Sequence, residues 1–459
     1  MSKFNQLRKE YPSFIYHGYE KEINGDVFAV KYHFEIAGLA HFFPEWKFKI
    51  YRRVDDIDDN LIENLVFSLG MVELVSYWKA TCSPDVLIVP HGLSSEMVKW
   101  WKKLYFGGLG EFFYTNAIDT SVDTFMNITC TNEKIIKSQP CSSLSGALVP
   151  VGGGKDSAVT LKILDVIKEE IMPYIINGRE ATTLTCDVAG YSNNRISLVK
   201  RTIDKNLIDL NTRGFLNGHT PFSAIVAFSS VLSAVFCSKK YVILSNESSA
   251  NESTIKGESI NHQFSKGEDF ENDFIEYEKK YINSGVSYFS FLRPLSEMQI
   301  SMLFAKYREF HSVFKSCNVG SKKDIWCCNC PKCLFVYIIL SPFLSKKELI
   351  NIFGEELLDK KSLSDVFKQL SGIYENKPFE CVGSRDEVVV ACDLTIKKYK
   401  ANGEKIPYLL ELFSKYLLIS DNNIDYYINY FDKRHHLPQY FENILLNELK
   451  EQIGYVSEN

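Results

Sequence analysis

The chain has 459 residues, enough for two or three domains, and a formal net charge of −5. Its 45% apolar and 24% charged residues are typical of a globular protein and exclude a largely disordered one. The acidic balance does not favour nucleic acid, and Met1–Asn5 does not begin a secretion signal, so we expect a cytoplasmic protein that binds neither nucleic acid nor a membrane.

Residues 1–142 are predicted to form an N-terminal mixed α/β domain. Asp26–Glu35 alternates between apolar and polar residues like a strand, Asp59–Lys79 has the apolar spacing of a helix, and Val86–Val89 is a short strand. We interpret the glycine-containing segment Gly107–Glu111 as a tight turn, with a binding loop as the alternative. This region carries no motif for a particular reaction.

Residues 143–340 alternate between strand and helix patterns. The expected strands are Ala147–Val151, part of Thr182–Val188, and Tyr241–Ser245; the expected helices are Ser157–Ile171, Arg195–Leu207 and Pro221–Cys237. The last of these is the longest apolar stretch and is interpreted as a buried core helix, because it is short for a membrane span. The alternation predicts a parallel sheet that binds ligands beyond the carboxyl ends of its strands.

The loop between the first strand and helix of this region has the composition of a phosphate site. It consists of Gly152, Gly153, Gly154, Lys155, Asp156 and Ser157. Glycines let the backbone approach an anion closely, and the start of the helix adds free N–H groups and a positive dipole. Lys155 is expected to contact phosphate, Asp156 to bind Mg²⁺, and Ser157 to cap the helix or contact phosphate. The pattern is not a Walker A loop, because Asp156 follows the lysine.

Two further polar segments are predicted near this loop. Ser245 and Asn246 follow a strand and are expected to bind phosphate or ribose, and the neighbouring Glu247 is a candidate for Mg²⁺ or a substrate ammonium group. His219, in the loop before the buried helix, is a candidate for proton transfer. Solvated polar turns are the alternative interpretation of both segments.

A group of cysteines at the end of the region predicts a metal site. Cys317, Cys327, Cys330 and Cys333 have the short spacing of a closed tetrahedral zinc site with a structural role. Cys328 is an alternative ligand to the adjacent Cys327, and an iron–sulfur cluster is an alternative to zinc. Residues 341–459 are predicted to be mostly helical, over Ser345–Leu358, Ser362–Leu370 and Ile406–Leu418.

The glycine loop resembles the PP-loop of the ATP pyrophosphatase superfamily, although Gly152 stands where that motif usually has serine. The cysteine pattern is similar to that of 7-cyano-7-deazaguanine synthase, another PP-loop enzyme with structural zinc, over the middle third of the chain. A broader set of segments resembles the UDP-N-acetyl-α-D-muramoyl-L-alanyl-L-glutamate epimerase (MurL) family. These segments are Leu69–Lys79, Gly108–Glu111, Pro150–Ser157, Asn217–Pro221, Ser245–Glu247, Asn261–Lys266, Leu292–Glu297, Cys330–Cys333 and Lys377–Gly383.

The resemblance implies an α/β PP-loop domain, of the adenine nucleotide α hydrolase-like fold, that uses ATP and Mg²⁺. The implied reaction inverts the terminal L-glutamate of UDP-MurNAc-L-Ala-L-Glu through an adenylated carboxylate, releasing AMP and pyrophosphate, in peptidoglycan precursor synthesis. The candidates for acid and base are His219, His262, Lys266 and Glu247, and the candidates for substrate binding are Asn217 and Arg293.

Three alternatives remain at this point: an enzyme that amidates or cyclises a nucleotide base, a tRNA-modifying PP-loop enzyme, and a non-catalytic nucleotide sensor. The sequence predicts no particular oligomeric state.

Overall fold

The computed structural model describes residues 2–252, 261–416, 420 and 423–456. Its strands form one 11-stranded sheet with helices on both faces. The strands are β1 Ser13–Asn24, β2 Val27–Ile36, β3 Ala40–Phe42, β4 Glu45–Lys49, β5 Asp85–Ile88, β6 Asn127–Cys130, β7 Ala147–Pro150, β8 Ile171–Ile176, β9 Ser197–Arg201, β10 Tyr241–Leu244 and β11 Ser287–Ser290.

The sheet has two parallel parts joined by antiparallel strands. Its order is β11-β10-β7-β8-β9-β4-β2-β1-β5-β6, with β3 beside β2. Strands β7 to β11 pair in parallel, as do β1, β5 and β6, whereas β1, β2, β4 and β9 pair with one another in antiparallel fashion. The β4–β9 pairing therefore joins strands from residues 1–142 to those that follow residue 143.

The helices cover the two faces of this sheet. They are α1 Lys3–Glu10, α2 Asp59–Trp78, α3 Ser95–Gly108, α4 Gly110–Thr115, α5 Lys155–Ile163, α6 Glu180–Val188, α7 Lys205–Thr212, α8 Phe222–Phe236, α9 Glu268–Tyr277, α10 Glu297–Lys306, α11 Pro331–Leu340, α12 Lys346–Phe353, α13 Ser364–Leu370, α14 Arg385–Ala401, α15 Tyr408–Ser414, α16 Ile424–Ile428 and α17 Gln439–Ile453. Short 3₁₀ turns connect several of them.

Side chains that alternate along the central strands define two hydrophobic cores. Leu148 and Val242 belong to the core that contains α2 and α8, whereas Val149 and Ile243 belong to the core that contains α5, α10, α11 and α14. This is the period-2 pattern of a strand buried on both faces. Each face of the sheet therefore has its own hydrophobic core, and each core contains residues from distant parts of the chain.

Helix α2 is buried on nearly all sides. Within the described residues it is the one helix long and apolar enough to cross a membrane, but 94% of that window is buried inside the protein, as in the core helix of a soluble domain. Its Glu73 is fully buried and paired with Arg201 at 2.8 Å. Pairing is what a buried carboxylate requires.

Several predicted elements differ from the observed ones. Thr182–Val188, expected to contain a strand, lies in α6, because the buried residues Ala181, Thr182, Thr185 and Cys186 recur at helical spacing. The predicted helix Ser157–Ile171 is largely confirmed, as α5 to Ile163 and a 3₁₀ helix over Leu164–Glu170, but its last residue, Ile171, begins β8. The predicted helix Arg195–Leu207 contains β9, whose residues alternate between buried and exposed, before α7 begins.

The C-terminal region is helical, as predicted, with different bounds. Helix α12 ends at Phe353, well before Leu358, and is followed by Gly354, whose φ of +90° favours glycine. The predicted helix Ile406–Leu418 corresponds to α15, and its predicted end lies outside the described residues. The long helices α14 and α17 were not predicted.

Candidate active site

The glycine loop joins β7 to α5, as the sequence predicts. Gly153 has φ of +77°, and a Cβ there would lie 3.0 Å from the backbone of Ala181 and Thr182, so glycine is required. Gly154 is the N-cap of α5, and no side chain among the described residues caps the helix there. The first N–H groups of α5 are thus available to an anion.

Lys155 lies between two carboxylates. Its Nζ contacts Asp156 and lies 2.5 Å from Glu297 Oε1, with Lys155 and Glu297 each 3% exposed. Burial raises the pKa of Glu297 to about 8, against the opposing charge of Lys155. Burial also opposes ionisation of Asp156, but the positive charges of Lys155 and Lys332 outweigh it and lower its pKa. Asp156 is therefore the carboxylate that favours its ionised form, and Glu297 is the one that takes up a proton more easily.

A pocket opens beyond the carboxyl ends of β7 and β10, next to this group. Its lining residues are Asp156, Ser245, Asn246, Glu247, Ala250, Gln263, Lys266, Glu297, Lys332, Phe335, Cys381, Val382 and Gly383. The structure thus brings together Asp156, Ser245, Asn246, Glu247 and Lys266, which were predicted from separate motifs.

The lining also contains Glu297, Lys332 and Cys381, for which no role was predicted from the sequence. The available signal was their position inside segments that resemble the MurL family.

The pocket chemistry fits a nucleotide with Mg²⁺. Within the described residues, the hydroxyl oxygens of Ser245 and Ser316 are buried without a hydrogen-bond partner. Ser316 lies beside the loop, since a Cβ on Gly154 would be 3.4 Å from its Cβ. Phosphate oxygens would satisfy such hydroxyls, and Asp156 supplies the oxygen type that Mg²⁺ prefers.

A larger cleft lies elsewhere, against Lys21, Glu63 and His91. Glu63 is already paired there with Lys21 and, at 3.2 Å, with His91. The cleft contains none of the residues of the glycine loop, so we place the candidate active site at the smaller pocket.

Cys381 lies in the pocket between two cationic groups. Its Sγ is 3.3 Å from Lys266 Nζ, and its side chain hydrogen bonds with His262. Burial alone would raise the pKa of Cys381, but the positive charges of Lys266 and His262 outweigh it and lower the pKa to about 5. The surroundings of Cys381 therefore favour its thiolate form.

His262 connects Cys381 to a second group at the start of α4. Its Nδ1 contacts Glu111, and Nδ1 of His219 lies 3.4 Å from the same carboxylate. Burial disfavours a charged His262, but hydrogen bonds with Cys381 and Glu111 outweigh it and raise the pKa to about 9. Burial lowers the pKa of His219 to about 4. His262 is thus the charged histidine of the pair and His219 the neutral one.

Asn217 lies near this histidine pair. It is exposed, and its carbonyl accepts a hydrogen bond of 3.1 Å from Asn116. The loop that follows it is held by Lys79, whose Nζ donates to the carbonyl of Gly218 at 2.5 Å and to the hydroxyl of Thr220 at 2.8 Å.

Arg293 does not occupy the position expected of a substrate-binding residue. It is 1% exposed and pairs with Glu271 at 2.9 Å. It also donates to the carbonyls of Glu247 and Lys266, at 2.6 and 2.5 Å. The expected contact between Arg293 and substrate is corrected, because its guanidinium is used inside the protein to position two segments of the pocket wall.

Glu247 also differs from expectation in its contacts. Its carboxylate accepts hydrogen bonds from the backbone and hydroxyl of Ser249, at 2.5 and 2.8 Å. It therefore stabilises the turn that follows β10 while lining the pocket.

The four cysteines form a compact group beside the pocket. Sγ separations are 3.8 Å for Cys317–Cys330 and Cys327–Cys333, and 3.5 Å for Cys330–Cys333. Tetrahedral bonds of about 2.3 Å to zinc place sulfurs about 3.8 Å apart, so the group fits one ion. Cys328 points elsewhere, with its Sγ 3.2 Å from the carbonyl of Phe353.

Comparison with known proteins gives a consistent result along the chain. The family model described as the MurL N-terminal domain matches residues 5–291, and the one described as the MurL C-terminal domain matches residues 309–415. A protein of Xanthomonas oryzae named UDP-N-acetyl-alpha-D-muramoyl-L-alanyl-L-glutamate epimerase is 33% identical over 70% of this chain and 71% of its own length. A Micromonospora protein of the same name is 34% identical over 71% of this chain and 73% of its own. No solved structure matches the chain.

Proposed function

We infer the function of this chain from the MurL family, to which it belongs by its two domain matches and its relatives. We propose that it inverts the terminal glutamate of UDP-MurNAc-L-Ala-L-Glu from L to D in peptidoglycan precursor synthesis. The proposed reaction uses ATP and Mg²⁺, passes through an adenylated carboxylate, and yields AMP and pyrophosphate. We further propose a PP-loop fold for the ATP-binding part and a cytoplasmic location.

The observation that supports this proposal best is the meeting of two kinds of chemistry in one pocket. One wall carries the glycine loop with Lys155, Asp156 and Glu297, and the other carries Lys266 and Cys381. A phosphate-binding wall serves activation of a carboxylate, and a wall of ionisable groups serves proton transfer.

Activation has a physical reason. The α-hydrogen beside an ionised carboxylate is hardly acidic, because its removal would create a dianion. Adenylation removes the carboxylate charge and turns the carbonyl into an electron acceptor, so a protein base can remove the α-proton. Hydrogen-bond donors in the pocket would stabilise the resulting enolate. Inversion is complete when a proton arrives on the opposite face and water releases AMP.

Different residues of the chain would carry out different parts of the proposed reaction. The N–H groups at the start of α5 would bind the departing pyrophosphate, and the hydroxyls of Ser245 and Ser316 would contact phosphate or ribose. Mg²⁺, held by Asp156, would neutralise phosphate charge. The four cysteines would hold a structural Zn²⁺ that fixes the start of α11, which carries Lys332 into the pocket.

Release of AMP and pyrophosphate tests the activation step. Purified protein with ATP and Mg²⁺ should release both products when UDP-MurNAc-L-Ala-L-Glu is present, and neither when the terminal glutamate is omitted or replaced by isoglutamine, whose α-carboxyl group is an amide. Product release that requires ammonia or tRNA would favour another adenylating enzyme and contradict the proposal.

A further inference from the structure

We propose that Cys381 is the base that removes the α-proton from the activated glutamate, with Lys266 and His262 holding its thiolate in place. This inference rests on the proposed function, because it needs the adenylated carboxylate as the electron acceptor.

The arrangement around Cys381 distinguishes it from the other acidic groups of the pocket. Asp156 and Glu297 are both in contact with Lys155, and Glu247 accepts two hydrogen bonds from Ser249. Cys381 instead faces cationic donors, with Lys266 Nζ at 3.3 Å and His262 as a further partner. Such partners favour a thiolate without consuming all of its lone pairs.

The segment that carries Cys381 is fixed to the phosphate side of the pocket. Lys332 donates to the carbonyl of Cys381, and Gly383 packs so closely that an added Cβ would lie 3.1 Å from Cγ of Glu297. These two contacts tie the wall that carries Cys381 to the wall that carries the Lys155–Glu297 pair. A substrate whose carboxylate is activated at the glycine loop would place its α-carbon within the same small pocket.

Cys381 and Glu111 both favour the charged form of His262, and Glu111 contacts Nδ1 of the imidazole ring. Because His262 contacts both Glu111 and Cys381, its imidazolium places a positive charge beside the sulfur. It also brings α4, from the N-terminal part of the chain, into the active site.

The α-carbon–hydrogen bond breaks, the proton forms an S–H bond on Cys381, and the electron pair moves to the carbonyl oxygen as an enolate. A proton derived from solvent then forms a new bond to the opposite face of the α-carbon. The thiol returns its proton to solvent, and hydrolysis of the acyl–phosphate bond releases AMP.

The test separates proton transfer from activation. Wild type, Cys381→Ser, Cys381→Ala and the control Cys130→Ser, which lies in the distant β6, would be incubated in D₂O with ATP, Mg²⁺ and substrate. AMP would be quantified, and deuterium at the glutamate α-carbon would be measured by mass spectrometry. We expect both Cys381 variants to lose about 100-fold or more in deuterium incorporation while substrate-dependent AMP formation continues.

Three results would overturn the proposal. These are deuterium incorporation at the wild-type rate in Cys381→Ser, loss of AMP formation together with incorporation in both Cys381 variants, and a covalent glutamyl adduct on Cys381 in the intact mass of quenched enzyme. Wild type that forms no AMP with this substrate would reject the proposed function itself, and this inference with it.

A separate observation leads us to propose a transition-metal site on the outer face of the sheet. His17, His33 and His41 each offer a ring nitrogen, and these atoms all lie within 4.8 Å of one another. His33 Nε2 is 3.0 Å from His41 Nδ1, and Glu35 Oε2 is 2.6 Å from His17 Nε2. Tetrahedral zinc bonds of about 2.0–2.1 Å separate neighbouring ligands by about 3.3 Å, which this group approaches.

The backbone accounts for the convergence. The β1–β2 register shifts between Tyr16 and Gly18, and this bulge aims His17 at the face that also carries His33 and Glu35. His41 is paired with Glu35 across β2 and β3. The proposed ligands are thus three imidazoles and one carboxylate on adjacent strands, a donor set suited to Zn²⁺, Cu²⁺ or Ni²⁺.

Zinc uptake tests this site directly. Full-length wild type, the double variant His33→Ala/His41→Ala and the control His436→Ala, an exposed histidine outside the group, would be dialysed against the same micromolar zinc. We expect the double variant to hold one equivalent less zinc than wild type and the control to match wild type. Equal zinc content in all three proteins would overturn the proposed site.

Discussion

Lys155 Nζ lies 2.5 Å from Oε1 of Glu297, so the first residue of α5 and the first residue of α10 meet in the buried wall of the pocket. Because Asp156 contacts the same ammonium group, Lys155 forms ion pairs with two carboxylates. This relationship positions the glycine loop through its lysine.

Lys155→Gln and Asp156→Ala should each reduce substrate-dependent AMP formation by about 100-fold or more, because loss of a preorganised charge at a phosphate site weakens transition-state stabilisation. AMP would be measured chromatographically, with circular dichroism to verify folding. Lys162→Ala, an exposed position on the same helix, is the matched control. Turnover near the wild-type level in both loop variants would rule out a catalytic role for the loop.

Arg293→Leu should destabilise the protein by about 3–5 kcal/mol, because it leaves the buried carboxylate of Glu271 without its partner. The free energy of unfolding would be measured by urea denaturation. Lys397→Ala removes an exposed ion pair with Asp393 and should cost at most about 1 kcal/mol. If Arg293→Leu were as stable as wild type and only weakened substrate binding, the structural position assigned to Arg293 would be wrong.

Metal analysis of purified protein should find about one equivalent of zinc bound to the four cysteines, as expected for a closed tetrahedral site. The adjacent cysteines provide a matched pair of variants. Cys327→Ser should lose this zinc, whereas Cys328→Ser should retain it, because the Sγ of Cys328 faces the carbonyl of Phe353. Iron in place of zinc, or equal metal loss in the two variants, would contradict this assignment.

The rate of α-hydrogen exchange should be almost constant from about pH 6 to 8. The pKa of Cys381 is lowered to about 5, so the thiolate is present above that pH and is lost as the pH falls through it. The pKa of His262 is raised to about 9, so its positive charge is lost as the pH rises through that value.

The charged groups that face this pair are Lys266, Lys332, Glu111 and Glu380. Exchange would be followed in buffers of constant ionic strength, because these charges are partly screened by salt. A rate that rises steadily to pH 9, as it would for an ordinary thiol, would contradict an ionised Cys381 at neutral pH.

The sequence predicted best what is encoded locally. A strand, a glycine loop and a helix are contiguous, and Cys327, Cys330 and Cys333 are close in the chain, so both groups could be recognised from spacing. The predicted strand in Thr182–Val188 was wrong, because the segment lies in α6. The preference of threonine for strands depends on its surroundings, so packing in the folded protein can override it.

Contacts between distant segments could not be predicted in the same way. The sequence shows that Arg293 is charged but not that Glu271 neutralises it in the interior. The pairs Lys155–Glu297, Lys266–Cys381 and Glu111–His262 each join residues from different elements, so they emerge only when the sheet places those elements together.

Chiral analysis of the terminal glutamate, with AMP assayed in the same sample, distinguishes epimerisation from adenylation alone after incubation with ATP, Mg²⁺ and UDP-MurNAc-L-Ala-L-Glu. We predict D-glutamate in the hydrolysed product together with AMP, and neither when ATP is omitted. AMP release with glutamate that stays entirely in the L form would contradict epimerisation.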